Sequence, residues 1–552
     1  MGAEKSLMLA PLRQVVTSLQ QVVAERALRV LNYGYSRHAA SKTRKALLGW
    51  MHGGGSPDQD ITENLVTLRE RSRDLYMGTP LATGALKTLR TNIVGPGLRL
   101  NAQVDAQTLG LTADEAEAWE AVVEREFSLW ADSQSCDAGR TNTFGQLQAL
   151  ALLSAMMSGD AFAVLPIIPR RGSAYDLRVQ LLEADRVCDP PIVYATGSNI
   201  YAGVQLGEYG EPIAYWVARY HPGALQASTG QAVSTYAAVG GAGAPTYVQN
   251  EWKRIDAFGP RTGRRNILHL IEQERPEQRR GTPILAPVVE SLKQLGRYTD
   301  AELMASVVSG FFTAFVTTDA ASQDVIGRVL PEDQLVDTAD DSSVELGNGM
   351  VVGLKPGENV QVANPGRPNT AFDGFVVAVL RQIGAALELP YELIVKNFVS
   401  SYSASRAAML EAWKMFRTRR VWLASSLCQP VYEEWLAEAV AKGRVDAPGF
   451  FGDPAIRAAW SRAEWYGPAQ GQLDPEGEVK AAALRVSEGF STRARETAEL
   501  TGSDWQQLTR VRAREEQLRR DAGLVAQVQP AAPLGAKPTG EGPATPGPQE
   551  RP

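Results

Sequence analysis

The sequence predicts a mixed α+β protein, and three observations carry that expectation. Several long stretches repeat their apolar residues every three or four positions, as helices with one buried face do. One block, between residues 161 and 219, reads instead as short strands separated by turn residues. Gly- and Pro-rich breakers divide the two textures. The chain has 552 residues, 44% hydrophobic and 21% charged. That exceeds what one core usually holds and implies several parts to one protomer.

Residues 1–60 form a mixed arm with basic residues at Arg37, Lys42, Arg44 and Lys45, closed by the breaker from His52 to Pro57. The arm reads as a solvated surface, with phosphate contact as the alternative. Glu4, Lys5, Arg13 and Glu25 interrupt any apolar core a signal peptide would need, so a cytoplasmic origin is expected. From Ile61 the spacing of Leu65, Leu68, Leu75, Leu81, Leu86 and Leu89 is helical, until Gly95-Pro96-Gly97 breaks it before a strand over 98–104. Helices over 114–130 and 144–157 come next. Strands are expected over 161–168, 177–182, 200–206 and 213–219, giving an α/β domain over 61–280. The Gly-rich stretch 221–245 lacks the following helix that a phosphate cradle requires and reads as a surface loop.

Gly281-Thr282-Pro283 opens a long helix through Leu285, Val288, Leu292, Leu295, Leu303, Val307 and Phe311. The apolar run Met304–Val316 within it is short of the roughly 20 residues a membrane span needs. Residues 316–366 alternate short apolar pieces with Gly, Pro and acidic residues, a small β-rich excursion. Its Asp340, Asp341 and Glu345 read as a solvated turn rather than a cation site. The next helix starts near Thr370 and Asp373, a capping-box-like pair, and buries Phe372, Phe375, Val376, Val379, Ile383 and Leu387. It should stop at Leu389, because Pro390 disfavours helical geometry in the residue before it. Tyr391–Tyr402 has no helical period and reads as an irregular loop. From Ser403 the period returns through Leu410, Trp413, Phe416, Leu427, Val431 and Trp435, with a kink expected at Pro430. Helical stretches over 454–465, 474–487 and 491–523 precede a tail, Val525–Pro552, whose composition predicts disorder.

No phosphate-binding loop, zinc helix or nucleophile elbow is present in the sequence. Cys136, Cys188 and Cys428 are far apart and odd in number, which points to buried thiols rather than disulfides or a zinc site. His38, His52, His221 and His269 are scattered singly, so only the fold could gather them at a metal, and every carboxylate is read as a surface or salt-bridge group. The expectation is a non-enzyme with no catalytic residue, metal or cofactor. A net charge of −6 argues against tight gripping of phosphates, while leaving weak or sliding contact with DNA open.

Six stretches, in order, resemble the lambda-type family of tailed-phage portal proteins: GTPLATGALKTLRTNIVGPGLRL (78–100), LLEADRV (181–187), ERPEQRRGTPILAPVVESLKQLGRYTDAELMAS (274–306), IGAALELPYELI (383–394), SASRAAMLEAW (403–413) and DPEGEVKAAALRVSEGFSTRARETAEL (474–500). The resemblance implies a portal-type protomer in a ring of about twelve subunits at one capsid vertex. Its parts would be an α/β wing (61–280), a stem of two helices (281–315 and 367–389) and a β-rich clip (316–366). A tunnel loop (390–404), a long helix (405–440) and a helical crown (441–524) would complete it. Double-stranded DNA would pass through non-specifically, touching phosphates only. The tunnel-loop residues Lys396, Asn397, Ser400, Ser401 and Tyr402 are the candidate DNA contacts, while Tyr391 and Phe398, and the Tyr402 ring itself, are weighed instead as packing onto neighbouring helices. Glu332, Asp333, Asp340 and Asp341 would face the packaging motor. Implied partners are the terminase large subunit, which would hydrolyse the ATP, the major capsid and scaffold proteins, and head-completion proteins. No membrane is involved, and the protein would assemble in the host cytoplasm and reside in the virion. About twelve copies at −6 give roughly −72 charges, which would keep DNA sliding rather than docking. The alternatives are a nucleic-acid-processing enzyme with a composite metal site, or another head-tail connector ring.

Overall fold

The computed structural model describes residues 45–47, 50, 53–191, 199–223, 225–226, 246–247, 251–310, 372–398, 401–471 and 474–524. The chain separates into two compact units, Met1–Asp60 and Ile61–Pro552. The described part of the first holds a short turn of helix at Lys45–Leu47 and most of α1 (Pro57–Ile61). The remaining elements belong to the second.

The helical stretch expected from Ile61 divides into α2 (Leu65–Gly78) and α3 (Pro80–Ile93). Thr79 is extended because Pro80 excludes the helical region for the residue before it, and Pro80 then opens α3 where its missing N–H is no loss. Beyond α3, Gly97 (φ 132°) crosses α6 (Phe144–Ser158) so closely that a Cβ there would sit 2.7 Å from the Cα of Gly145. At this crossing the buried Gln148 amide pairs with the Leu98 backbone, accepting from its N–H at 2.6 Å and donating to its carbonyl at 3.2 Å. The chain continues into β1 (Arg99–Ala102), α4 (Ala106–Leu109) and α5 (Ala113–Ala131). Both α5 and α6 begin with reciprocal capping boxes, Thr112 with Glu115 and Thr143 with Gln146.

The strand region is real but more finely divided than expected. β2 (Asp160–Val164) lies between β3 (Gln180–Leu182) and β10 (Ile267–Ile271), all antiparallel. The 200–206 strand is a tight hairpin, β4 (Ile200–Tyr201) and β5 (Val204–Leu206), which continues into β6 (Pro212–Ala218) and β9 (Trp252–Asp256). Two-residue strands β7 (Leu225–Gln226) and β8 (Thr246–Tyr247) pair across the Gly-rich stretch, whose middle lies outside the described residues. A small core gathers Phe162, Leu182, Val204, Tyr215, Val217 and Ile267 between the sheets. The main core runs continuously from α3, α5 and α6 to the helical segments between Leu380 and Trp460.

The long helix α7 (Val289–Gly310) starts later than Thr282, after a short turn at Ala286–Val288 that contains Pro287. Its Tyr298 ring stacks on Phe372 and meets Phe375 edge-on, with centroids at 5.6 and 5.1 Å, both on α8 (Phe372–Ala386). After α9 (Tyr391–Val395), α10 (Tyr402–Leu423) runs into α11 (Gln429–Ala441) through a wider π-type turn at Ala424–Cys428. That turn is the interruption expected at Pro430, whose ring and absent N–H do not fit an ordinary turn, so Gln429 N–H reaches back to the carbonyl of Ala424.

Two C-terminal expectations need correction. The helix expected over 454–465 ends at Trp460 (α12, Pro454–Trp460), because β11 (Ala463–Tyr466) pairs with β1 in register Arg99 with Tyr466. The helical region after residue 441 therefore contains a strand. The stretch 491–523 is two helices, α14 (Arg493–Thr501) and α15 (Trp505–Asp521), since Gly502 takes a left-handed conformation and Asp504 caps the next helix. The third helix, α13 (Pro475–Ser487), lies as expected. Cys136 and Cys428 are buried, but Cys188 is half-exposed. Burial pushes the Cys136 thiol up to about 12. No helix among the described residues is long and apolar enough to cross a membrane. The β-rich excursion 316–366 and the tail 525–552 lie outside the described residues, as do most of the arm and the Thr370 cap.

Candidate nucleic-acid interface

The stretch expected to be an irregular loop after Leu389 contains a helix. α8 ends at Ala386, three residues short of the expected stop, and Glu388 turns left-handed (φ 56°). Leu389 N–H then donates to the carbonyl of Gly384 at 2.9 Å, the six-residue closure typical of helix ends. Gly384 is required there: a Cβ would sit 2.5 Å from the Leu389 carbonyl oxygen. Pro390 starts α9, whose Leu393 and Ile394 are buried in the main core. α9 ends in the same manner at Lys396 (φ 54°), with the N–H groups of Lys396 and Asn397 both donating to the Glu392 carbonyl. Periodicity missed this helix because five residues complete little more than one turn.

This arrangement anchors the segment from beneath and leaves its far end in solvent. Lys396 and Asn397 are exposed. Lys396 has no ion-pair partner among the described residues. Phe398 is 50% exposed, so its ring is only half covered in the single chain, whereas Tyr391 packs against the main core with Arg381 over its ring at 5.9 Å. Ser401 caps α10, its hydroxyl accepting from Ala404 N–H at 3.4 Å, so helix capping uses the oxygen that was a candidate for DNA. Tyr402 is the first residue of α10, and Ser400 lies outside the described residues. The clip candidates Glu332, Asp333, Asp340 and Asp341 also lie outside them.

Every cation of α10 is already engaged. Arg406 faces Glu478 at 3.7 Å, Lys414 faces Glu411 at 2.7 Å, Arg417 faces Glu499 at 3.4 Å and Arg419 faces Glu272 at 3.6 Å. Arg420 is half-buried and donates to the carbonyls of Asn92, Ile93 and Pro468; partial burial lowers it to about 10. Of the cations on α9, its cap and α10, Lys396 is the one with no ion-pair or carbonyl partner among the described residues. With Glu388 and Glu392 nearby, the segment carries no large positive charge, which suits brief phosphate contact rather than tight binding.

A second constellation, around Asp160, ties the strands to α2. Asp160 is fully buried at the start of β2 and is held by Arg280 at 2.6 Å, Arg69 at 2.8 Å and His269 Nε2 at 3.2 Å. Burial alone would raise this carboxyl, but Arg280, Arg69 and the hydrogen bonds outweigh it and hold it well below the usual carboxylate range. Arg280 also donates to the carbonyls of Val187, Ala202 and Ala184. Sequence reasoning missed this knot because its members lie 91 to 120 residues apart; the one available signal is an Asp at the head of an apolar strand. Beside it the fold brings His221 Nε2 to 3.8 Å from Asp185 and 4.0 Å from Glu183. The three donors would suit a cation by type and spacing. Arg73 and Arg69 already neutralise these carboxylates, with Arg73 bonded to Asp185 and 3.4 Å from Glu183, so the group reads as an ion-pair knot. Glu124 departs from the expected surface or salt-bridge role: it is half-buried under the Ala102 N–H, and burial raises it to about 7.

The family model for phage portal proteins of the lambda family matches residues 43–420. The chain belongs to that family. Among characterised portal proteins it is similar to portal protein B of Escherichia phage lambda, 24% identical over 87% of this chain and 88% of that protein. It is similar to the portal protein of Escherichia phage N15, 25% identical over 87% and 89%. A probable portal protein of Halomonas phage phiHAP-1 is 24% identical over 78% of this chain and 76% of that one. Among solved structures, a chain from the neck of an empty GTA particle aligns with TM-score 0.37 and 13% identity, covering 79% of this chain and 92% of that one. The family match takes in α7, α8, α9 and nearly all of α10, so the anchored Lys396 segment lies within it.

Proposed function

We propose that this chain forms a ring-shaped channel at one capsid vertex, through which double-stranded DNA is packaged and later ejected. Membership of the portal family over residues 43–420 carries the reading. In it the chain works as a structural conduit and not as an enzyme. ATP hydrolysis belongs to the terminase large subunit, since the sequence holds no phosphate-binding loop. The ring of about twelve copies also meets the capsid and scaffold proteins and the head-completion proteins. It assembles in the host cytoplasm and remains in the virion.

Residues 61–280 serve as the wing, 281–315 and 367–389 as the stem and 316–366 as the clip, where Glu332, Asp333, Asp340 and Asp341 face the motor. Residues 405–440 form the long helix leading to a crown over 441–524, and 390–404 are the tunnel loop. In that loop Lys396, with Asn397 beside it, touches passing phosphates, and Ser400, Ser401 and Tyr402 are the further candidate contacts. What supports this assignment is the contrast between Lys396, exposed and without an ion-pair partner among the described residues, and the engaged cations of α10. Passage of a whole genome excludes base readout, so the contacts are weak and directed at the backbone.

Negative-stain microscopy of the purified chain tests the reading, with annular class averages as the expected result. A compact monomer under all assembly conditions would overturn it.

A further inference from the structure

The three helices after β11 bury very little within one chain. Among the described residues from Asp474 to Leu524, only Ala482, Glu496 and Ala498 are buried, and α15 has no buried residue along its 17 positions. An isolated helix of that length is marginal in water. Yet α13 and α15 each carry an apolar stripe with coiled-coil spacing. On α13 it is Val479, Ala483 and Val486; on α15 it is Leu508, Val511 and Leu518, with Glu515 filling the remaining step. Val479, Leu508, Val511 and Leu518 are between 44% and 59% exposed.

The two segments also differ in charge. α13 itself is balanced, Glu476 and Glu478 against Lys480 and Arg485, and its flanks Asp474 and Glu488 bring residues 474–488 to four acidic against two basic, whereas α15 carries five arginines against three acidic residues. Arg512, Arg514 and Arg520 on α15, and Glu488 beyond α13, have no ion-pair partner among the described residues. The 474–488 segment and α15 are therefore two different faces with matching stripe spacing and opposite net charge, which is what a head-to-tail contact around a closed ring demands.

We propose that α13 of one copy packs against α15 of the next, so that the stripes interdigitate and the C-terminal helices become stable only on ring assembly. The proposal rests on the ring reading above. Hydrogen exchange on the full-length wild-type chain tests it, comparing rings with dilute single subunits. Amides of residues 505–521 should exchange at least about tenfold more slowly in the ring. A ring in which they exchange as fast as in the single subunit overturns the proposal while leaving the channel reading intact. A chain that never gives annular particles fails at the earlier step, and the images distinguish the two failures. For the partner's identity, chains carrying Ala483→Cys and Val511→Cys are co-expressed with different tags, both in a Cys188→Ser background, and oxidised. A disulfide joining the two tags is expected. Same-tag dimers, or rings with no cross-link, overturn the head-to-tail pairing. Should the substituted chains fail to assemble, wild-type exchange decides.

Discussion

The conformation of Lys396 allows its charge to be separated from its role in the fold. It ends α9 at φ 54° and ψ 38°, a left-handed geometry that costs an L-residue with a Cβ about 1–2 kcal/mol. Glycine escapes that cost but loses about 0.5–1 kcal/mol of additional chain entropy on folding. Lys396→Gly should therefore leave stability unchanged or raise it by about 0.5–1 kcal/mol, a shift of roughly one or two degrees in melting temperature for a chain of this size. Lys396→Ala keeps the left-handed strain and should be neutral within a few tenths of a kcal/mol. Both remove the charge, and Lys396→Glu reverses it. Thermal melts and ring images should thus match the parent for all three, while nuclease-protected DNA per head falls, most of all for Lys396→Glu. DNA retention should also become less sensitive to added salt, since one phosphate contact per subunit is lost. Heads filled to parental length and infectious at parental yield with Lys396→Glu would remove Lys396 from the DNA path. A loss of several degrees with Lys396→Gly would instead refute the left-handed cap.

The remaining expectations concern the scaffold. Asp160→Asn leaves the buried Arg280 facing a neutral partner and Arg69 with Asp185 alone at 3.7 Å, and should destabilise the chain by about 3–5 kcal/mol, measured by denaturant melts. The pH dependence has a definite sign. The Asp160 carboxyl is depressed in the folded state, so its contribution is complete above its unfolded value near 3.9 and is lost as pH falls. Burial also lowers His269, despite the pull of Asp160, so its neutral form favours folding above about 6.5 and loses that advantage below. Melting temperature should accordingly drop on acidification in two stages, and Asp160→Asn should flatten the lower one. Gly384→Ala drives a methyl against the Leu389 carbonyl oxygen and should lower stability by about 1–3 kcal/mol in the same melts. Burial raises Glu124 to about 7, so its contribution is fully present below its unfolded value near 4.3 and is lost as pH rises from there through about 7. Glu124→Gln, which keeps an acceptor for Ala102 N–H, should raise the melting temperature at pH 8 and change it little at pH 5.

How much of the fold was legible in the sequence depends on the range of the interactions involved. Helices α5, α6 and α13 fall within a residue or so of their expected positions, because stripes, caps and breakers are all local. The split at Gly502-Ser503-Asp504 was equally local, a left-handed Gly followed by a capping Asp, and was open to the same reasoning. β11 was out of reach because its partner β1 is more than 360 residues earlier, and Ala463–Tyr466 has no strand signature apart from that pairing. The candidate DNA segment was half legible. Pro390 announced the end of α8, but α9 exists because Leu393 and Ile394 find a place in a core built by distant helices.

The same asymmetry bears on how the proposed channel loop would be anchored. The flanks of the Lys396 segment are held by Gly384 against the Leu389 carbonyl on one side and by the Ser401 cap of α10 on the other. α10 is in turn tied by Arg420 to the carbonyls that end α3, and by the Trp422 indole N–H to the carbonyl of Ile271 at 3.1 Å. Ile271 closes β10, the strand that also carries His269 into the Asp160 knot. On the proposed channel assignment, a load on α10 would reach β10 through Trp422 and the buried charges around Asp160 through β10. If that linkage is mechanical, Asp160→Asn rings that still form should hold packaged DNA less firmly even though residue 160 lies far from residue 396 in sequence. Retention equal to that of the parent in such rings would show that the knot serves stability alone.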